Sequence, residues 1–210
     1  NEATKLVKQI HQVGGKAYPV QADISKSEDV KRMFSTARKQ FGPIGHVVHG
    51  AAIRSLVRPF NMLTWDDMAK QLDIQVKGAF HCFKEVLPDM LKSGTGTIVV
   101  LGSIAVDNVP PAQQTDYVVA KAALTSLVKC LAVEYGPKGI RLNLVAPGMT
   151  RTEMIASLPD KAKMMTKMQT PFRKLAEPDE IAEAIAFLIG PGSKHITGET
   201  LRVCGGAMMI

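Results

Sequence analysis

Cysteine is scarce in this sequence of 210 residues. The three present, Cys82, Cys130 and Cys204, are odd in number, far apart and in no paired motif. That excludes a disulfide framework and a CxxC zinc site, and a reducing cytoplasmic setting fits best. Long apolar runs are missing too. Stretches such as Ile98 to Val106, broken by Gly102 and Ser103, fall short of the ~20 residues that span a bilayer. The first residues, Asn1-Glu2-Ala3-Thr4-Lys5, lack the basic start and apolar core of a signal segment. Aromatic residues number only 11 and basic residues are scattered, so a nucleic-acid partner is not expected. His46 and His49, three apart on a strand-like run, point to opposite faces, so no metal site is expected. Finally, no G-x-G-x-x-G or related glycine-rich turn occurs; Gly14-Gly15 follows a helical pattern and precedes a strand-like one.

What is present is enough to fill a substantial core, 46% of residues being hydrophobic, and the length predicts one domain over residues 1–210. Lys and Arg total 26 against 19 Asp and Glu, a net charge of +7 that favours acidic ligands without naming one. Leu6, Val7 and Ile10 recur at helical spacing, and a strand is predicted over Ala17 to Val20 and on to Asp23. Ser25 to Ser27 with Glu28 and Asp29 are cap-type residues that open a helix with an apolar stripe of Val30, Met33, Phe34 and Ala37 up to the Gly42-Pro43 stop. Then comes a short buried strand from Ile44 to Val48 ending at Gly50-Ala51-Ala52. Thr64, with Asp67 three residues on, predicts the cap of a long helix running toward Leu91. Strand Thr97 to Leu101, a helix through Tyr117 to Leu131, strand Ile140 to Val145, a helix from Pro178 and a final strand Glu199 to Val203 complete the pattern. Met149 to Leu175 reads as a mixed polar and methionine-rich stretch. Strands alternating with helices predict parallel pairing through right-handed crossovers, an α/β sheet covered by helices. Ligands of such sheets bind beyond the carboxyl ends of the strands, which singles out Asp23-Ile24, His49 to Ala52, Gly102-Ser103 and Pro147 to Thr152.

Tyr117 and Lys121 lie one helical turn apart, so phenol and ammonium share a face. Ser103, 14 residues before Tyr117 and just after a buried strand, brings a hydroxyl to the same rim. A ketone accepting hydride at carbon needs a proton at oxygen. A nearby ammonium favours the phenolate of a tyrosine, so Lys121 is expected to lower the Tyr117 pKa, with Ser103 polarising the carbonyl.

Several ordered motifs resemble the short-chain dehydrogenase/reductase family, most nearly its 3-oxoacyl-[acyl-carrier-protein] reductases. They are Gly96-Thr97-Ile98-Val99-Val100 before Ser103, Tyr117-Val118-Val119-Ala120-Lys121, Arg141-Leu142-Asn143-Leu144-Val145-Ala146-Pro147-Gly148, Glu177-Pro178-Asp179-Glu180-Ile181-Ala182, and Ile196-Thr197-Gly198-Glu199-Thr200-Leu201 before Gly205-Gly206. The resemblance implies a Rossmann-like doubly wound parallel sheet and an NAD- or NADP-dependent oxidoreductase interconverting a ketone and a secondary alcohol, with a 3-oxoacyl thioester as one substrate class. It implies catalytic roles for Ser103, Tyr117 and Lys121, with Gln75 standing where the family has an asparagine. Asp23 and Ile24 would meet the adenine, His49, Gly50 and Ala51 the adenosine ribose, and Pro147, Gly148 and Thr150 the nicotinamide; Thr152 would contact phosphate. Tyr117 and Lys121 would also touch the cofactor. A homodimer or homotetramer built on residues 66–92 and 113–135 is implied as well.

Three departures temper that expectation. The missing glycine-rich turn predicts a sheet lacking its first strand-helix-strand unit, so that the sequence would be the retained part of a longer polypeptide or be completed by another segment. Gln75 keeps an amide but adds a methylene, displacing it by more than the ~0.5 Å tolerance of a tuned site. His49 stands where the family has asparagine. Together these support an alternative, a non-catalytic binding or scaffold member of the fold. The segment from Met149 to Met168 holds five of the 11 methionines and reads either as a lid over an apolar or carrier-bound acyl substrate or as core packing. The basic residues Lys161, Lys163, Lys167, Arg173 and Lys174 fit a carrier's acidic surface or a solvated face.

Overall fold

A computed structural model describes residues 2–107, 109–156 and 158–209. Four strands, β1 (His46–His49), β2 (Gly96–Leu101), β3 (Ile140–Pro147) and β4 (Thr200–Val203), form one sheet in the order β1-β2-β3-β4 with every neighbouring pair parallel. Seven α-helices accompany them: α1 (Glu2–Gln12), α2 (Ser27–Phe41), α3 (Trp65–Leu72), α4 (Gly78–Ser93), α5 (Thr115–Tyr135), α6 (Asp160–Gln169) and α7 (Pro178–Ile189). None is long and apolar enough to cross a membrane.

The period-two alternation of strand side chains sorts the core into two layers. From β2, Ile98 and Val100 point to one face, where they join Val86 and Met90 of α4, Leu124 and Val128 of α5, and Leu142 and Leu144 of β3. Val99 and Val145 point to the other and meet Ile181 and Leu188 of α7. Helices therefore cover both faces, which is why the central strands are continuous apolar runs. Arg38 of α2 donates to Asp89 of α4 at 2.8 Å, and the same carboxylate accepts the Ile44 amide at 3.1 Å. This bond sets the chain's entry into β1.

One expectation needs correction. Residues 15–23 carry no regular structure and form no strand: a ladder needs a neighbour to receive its hydrogen bonds, and among the described residues no strand lies beside this segment. The methionine-rich stretch contains α6. Met164, Met165 and Met168 on it are more than half exposed, so core packing is not their role. Thr64 caps α3 as expected: its hydroxyl accepts the Asp67 amide and the Asp67 carboxylate accepts the Thr64 amide. The long helix after it is interrupted by a π-helical turn, Asp73–Lys77. Such an extra residue in the spiral rotates the following side chains, and here it leaves Gln75 fully buried.

Candidate active site

β2 ends at Leu101, and Ser103 follows with an extended backbone, its hydroxyl accepting the Ala105 amide at 3.2 Å. That bond opens a short 3₁₀ turn and holds the serine side chain at the carboxyl rim of the sheet. α5 brings Tyr117 and Lys121 to the same rim. The Ser103 hydroxyl lies close enough to the Tyr117 phenol to favour its ionised form. The Lys121 ammonium lies 5.8 Å from the centre of the Tyr117 ring and donates to the Leu101 carbonyl at 2.6 Å. Three groups distant in sequence thus meet at one place.

Their protonation is set chiefly by burial. Lys121 is 3% exposed, and desolvation pushes its pKa down to about 8. Burial raises the Tyr117 phenol above its ordinary value, while a hydrogen bond from Ser103, which favours the phenolate, pulls it back. The direction differs from the expected lowering by Lys121. The physical reason is that a buried phenolate loses its hydration, while the ammonium is engaged by a backbone carbonyl. A protonated phenol at neutral pH is suited to giving a proton.

His49 ends β1 at 5% exposure, away from solvent. Its ring meets Phe83 edge-on at 5.9 Å, and its pKa falls to about 4, first through burial and then through the charge of Lys121, with the Gln75 backbone opposing. Its Nε2 and the Gln75 Oε1 are buried side-chain atoms with no hydrogen-bond partner among the described residues. The Gln75 Nε2 donates to Gln71 Oε1 at 2.6 Å. His49 therefore sits beside the Lys121 pocket. Because the folded pKa is depressed, the unfolded chain binds more protons between pH 6.5 and about 4, and stability falls as pH drops through that window. His49→Leu is expected to remove up to about 3 kcal/mol of that acid loss, read from urea unfolding at neutral pH and at pH 4; parallel acid slopes in both proteins would dismiss the assignment.

The remaining candidates line the rim. Asp23 accepts the Ser25 hydroxyl at 2.7 Å and the Ser25 amide at 3.0 Å; these bonds hold its carboxyl below the usual range. Ile24 fills a notch over Gly78, where an added Cβ would lie 2.5 Å from its Cδ1, and its carbonyl is bonded by His81 Nδ1 at 3.1 Å. At Gly50 a Cβ would lie 2.9 Å from Leu101 Cδ1 and displace the end of that side chain, with half-buried Ala51 next. Pro147 closes β3, paired with Val203. A Cβ on Gly148 would come within 3.1 Å of the Cys204 backbone. Thr150 bridges Ala176 in parallel fashion through bonds made by Met149 and Arg151, which turns the amide and carbonyl of Thr150 itself to the opposite side. Thr152 is exposed, its hydroxyl 3.5 Å from the Thr150 carbonyl.

A cavity of about 130 Å³ adjoins these groups, lined by Ile104, Gly148, Met149, Phe172, Leu175 and Cys204 among others. Its walls are the segment after Ser103, the exit of β3, the region behind α6 and the residues after β4. Sequence reasoning named Met149 but not Phe172 or Cys204, which carry no local motif. It also missed Gln71 and Asp116, each 1% exposed; the four-residue spacing of Gln71 and Gln75 and the adjacency of Asp116 to Tyr117 were the available signals.

The chain is similar to known proteins along almost all its length. A family model described as enoyl-(acyl carrier protein) reductase matches residues 1–208. The 3-oxoacyl-[acyl-carrier-protein] reductase FabG of Staphylococcus epidermidis is 34% identical over 211 residues, spanning 100% of this chain and 85% of that protein. The oxidoreductase UcpA of Salmonella typhimurium is 33% identical over 217 residues, spanning 100% of this chain and 82% of that protein. A solved 7α-hydroxysteroid dehydrogenase, complexed with NADH and 7-oxo glycochenodeoxycholic acid, superposes with a TM-score of 0.93 at 30% identity, covering 97% of this chain and 79% of that one.

Proposed function

The chain belongs to the short-chain dehydrogenase/reductase family and is an oxidoreductase, and from that premise we propose that it interconverts a ketone and a secondary alcohol with NADH or NADPH. The observation that carries this reading is the convergence at one rim of Ser103, just after β2, and Tyr117, whose ring centre lies 5.8 Å from the buried Lys121 ammonium. The bound cofactor would supply the hydride. Ser103 holds and polarises the carbonyl oxygen, Tyr117 gives that oxygen its proton, and Lys121, poised at about 8, restores the phenol. The product oxygen carries the phenol's proton, so charge balances at the carbonyl.

The rim fits the nicotinamide end of such a cofactor. The close approach at Gly148 leaves a flat edge, and the outward-turned peptide of Thr150 offers a donor for a carboxamide. Asp23 and Ile24 would meet the adenine, Gly50 and Ala51 the ribose, and Thr152 a phosphate, whereas burial assigns His49 to the Lys121 pocket. The mostly apolar cavity suits a fatty or otherwise apolar carbonyl compound, a 3-oxoacyl thioester being the leading class. Of the basic residues nearby, Lys163 pairs with Asp160 at 3.3 Å and Lys174 with Glu180 at 2.5 Å. Lys161, Lys167 and Arg173 are the ones assigned to a carrier. A second copy of this chain would cover the apolar patch of Leu72, Val76, Phe80 and Leu127 on α3, the π-helical turn, α4 and α5.

Reduced-nicotinamide fluorescence should change on binding, and its absorbance should fall when acetoacetyl thioesters are added. Binding without oxidation by thioesters or by a panel of cyclic and open-chain ketones would overturn the catalytic reading; oxidation by cyclic ketones alone would overturn the thioester assignment.

A further inference from the structure

We propose that Gln71 and Asp116 are positioning residues that act through Gln75, fixing the direction of a buried amide chain so that its last oxygen is presented beside Lys121. This inference rests on the reductase reading and adds two residues to it.

The argument is one of hydrogen-bond polarity. Asp116, 1% exposed, accepts the Ser55 hydroxyl on Oδ1 at 2.9 Å and the Gln71 amide nitrogen on Oδ2 at 3.4 Å. That nitrogen also faces the carbonyls of Ile53 at 3.4 Å and Arg54 at 3.3 Å. Neither a carboxylate nor a carbonyl can donate. Three acceptors from two segments therefore require the Gln71 nitrogen, and the amide has a single orientation. Its oxygen then points along the helix to Gln75, four residues on, and accepts the Gln75 nitrogen at 2.6 Å. With its nitrogen taken, Gln75 turns its oxygen the other way. That oxygen is buried without a partner among the described residues.

The π-helical turn that bears Gln75 packs against α5, which carries Lys121. His49 lies opposite Val100, next to the Leu101 carbonyl that takes the Lys121 ammonium, near enough to feel its charge. Lys121 has three N–H donors, one of which goes to the Leu101 carbonyl. An ammonium with further donors needs acceptors, and an amide presented nitrogen-first would oppose it. The direction imposed by Asp116 and Gln71 gives the required polarity. The π-helical turn Asp73–Lys77 is what faces Gln75 inward, so the departure from asparagine is accommodated by a longer side chain clamped at its end.

The test is a double-mutant cycle on kcat in the full-length protein. Gln71→Met keeps the shape and removes the amide; it should lower kcat about tenfold while leaving KM for the ketone and the cofactor Kd unchanged. Gln75→Leu should do the same. In the Gln75→Leu background, neither Gln71→Met nor Asp116→Asn should lower kcat further, because the path is already cut. Should Gln71→Met fail to fold, Gln71→Leu, which likewise offers Gln75 no acceptor, takes its place in the cycle. Unchanged kcat in the Gln71 variant, or equal fold losses in both backgrounds, would overturn the clamp. Absence of turnover in the parent, or turnover surviving Tyr117→Phe, would instead overturn the reductase reading on which it rests.

Discussion

Tyr117→Phe lowers kcat by about a thousandfold, within the range of 10²–10⁴ that a positioned proton donor contributes, and leaves cofactor affinity and folding close to those of the parent. The substitution deletes one oxygen and keeps the ring that lies beside Lys121. What is lost is the phenol hydroxyl beside Ser103, the proton donor of this reading. Ser103→Ala should cost less, about a hundredfold, since the phenol remains. It also removes the acceptor for the Ala105 amide, so its loss combines chemistry with a looser rim. Stopped-flow measurement of cofactor oxidation, alongside fluorescence titration of cofactor binding, separates these effects. A Tyr117→Phe variant that turns over within tenfold of the parent would remove the phenol from the mechanism.

Lys121→Met is expected to abolish most turnover, again by two to three orders of magnitude, and to change stability in a pH-dependent way opposite to that of most ion-paired lysines. Burial depresses the folded pKa of Lys121 to about 8 from 10.5. Below pH 8 both folded and unfolded chains carry the proton, and the folded state bears the full cost of a buried charge. Between pH 8 and 10.5 the folded lysine is neutral while the unfolded one stays charged. The unfolded state then binds more protons, and stability rises with pH. Above 10.5 the two agree. Relative to the methionine variant, the parent should therefore gain about 3 kcal/mol across that window, the difference between the two proteins cancelling the other lysines. A difference that stays flat from pH 8 to 10.5 would mean that Lys121 is hydrated in solution.

Much of the architecture was legible along the chain. The apolar runs of β2 and β3, the helical stripe of α5 and the Thr64–Asp67 cap all depend on neighbours within a few residues. The misreadings have equally specific causes. Ala17 to Asp23 has strand-like composition, but strand formation depends on a partner. The lowered phenol expected at Tyr117 came from the spacing to Lys121; the raised one came from burial that spacing does not encode.

The sequence by itself determined the alternation of strands and helices, hence a parallel sheet, and placed Ser103, Tyr117 and Lys121 at one rim, because side-chain periodicity and strand ends are local properties. Tertiary structure alone decided how buried those groups are, which way their proton affinities move, and that Ser55, Asp116, Gln71 and Gln75 form one directed chain. Desolvation and hydrogen-bond polarity depend on which atoms from distant segments surround a group, and only the folded chain brings them together.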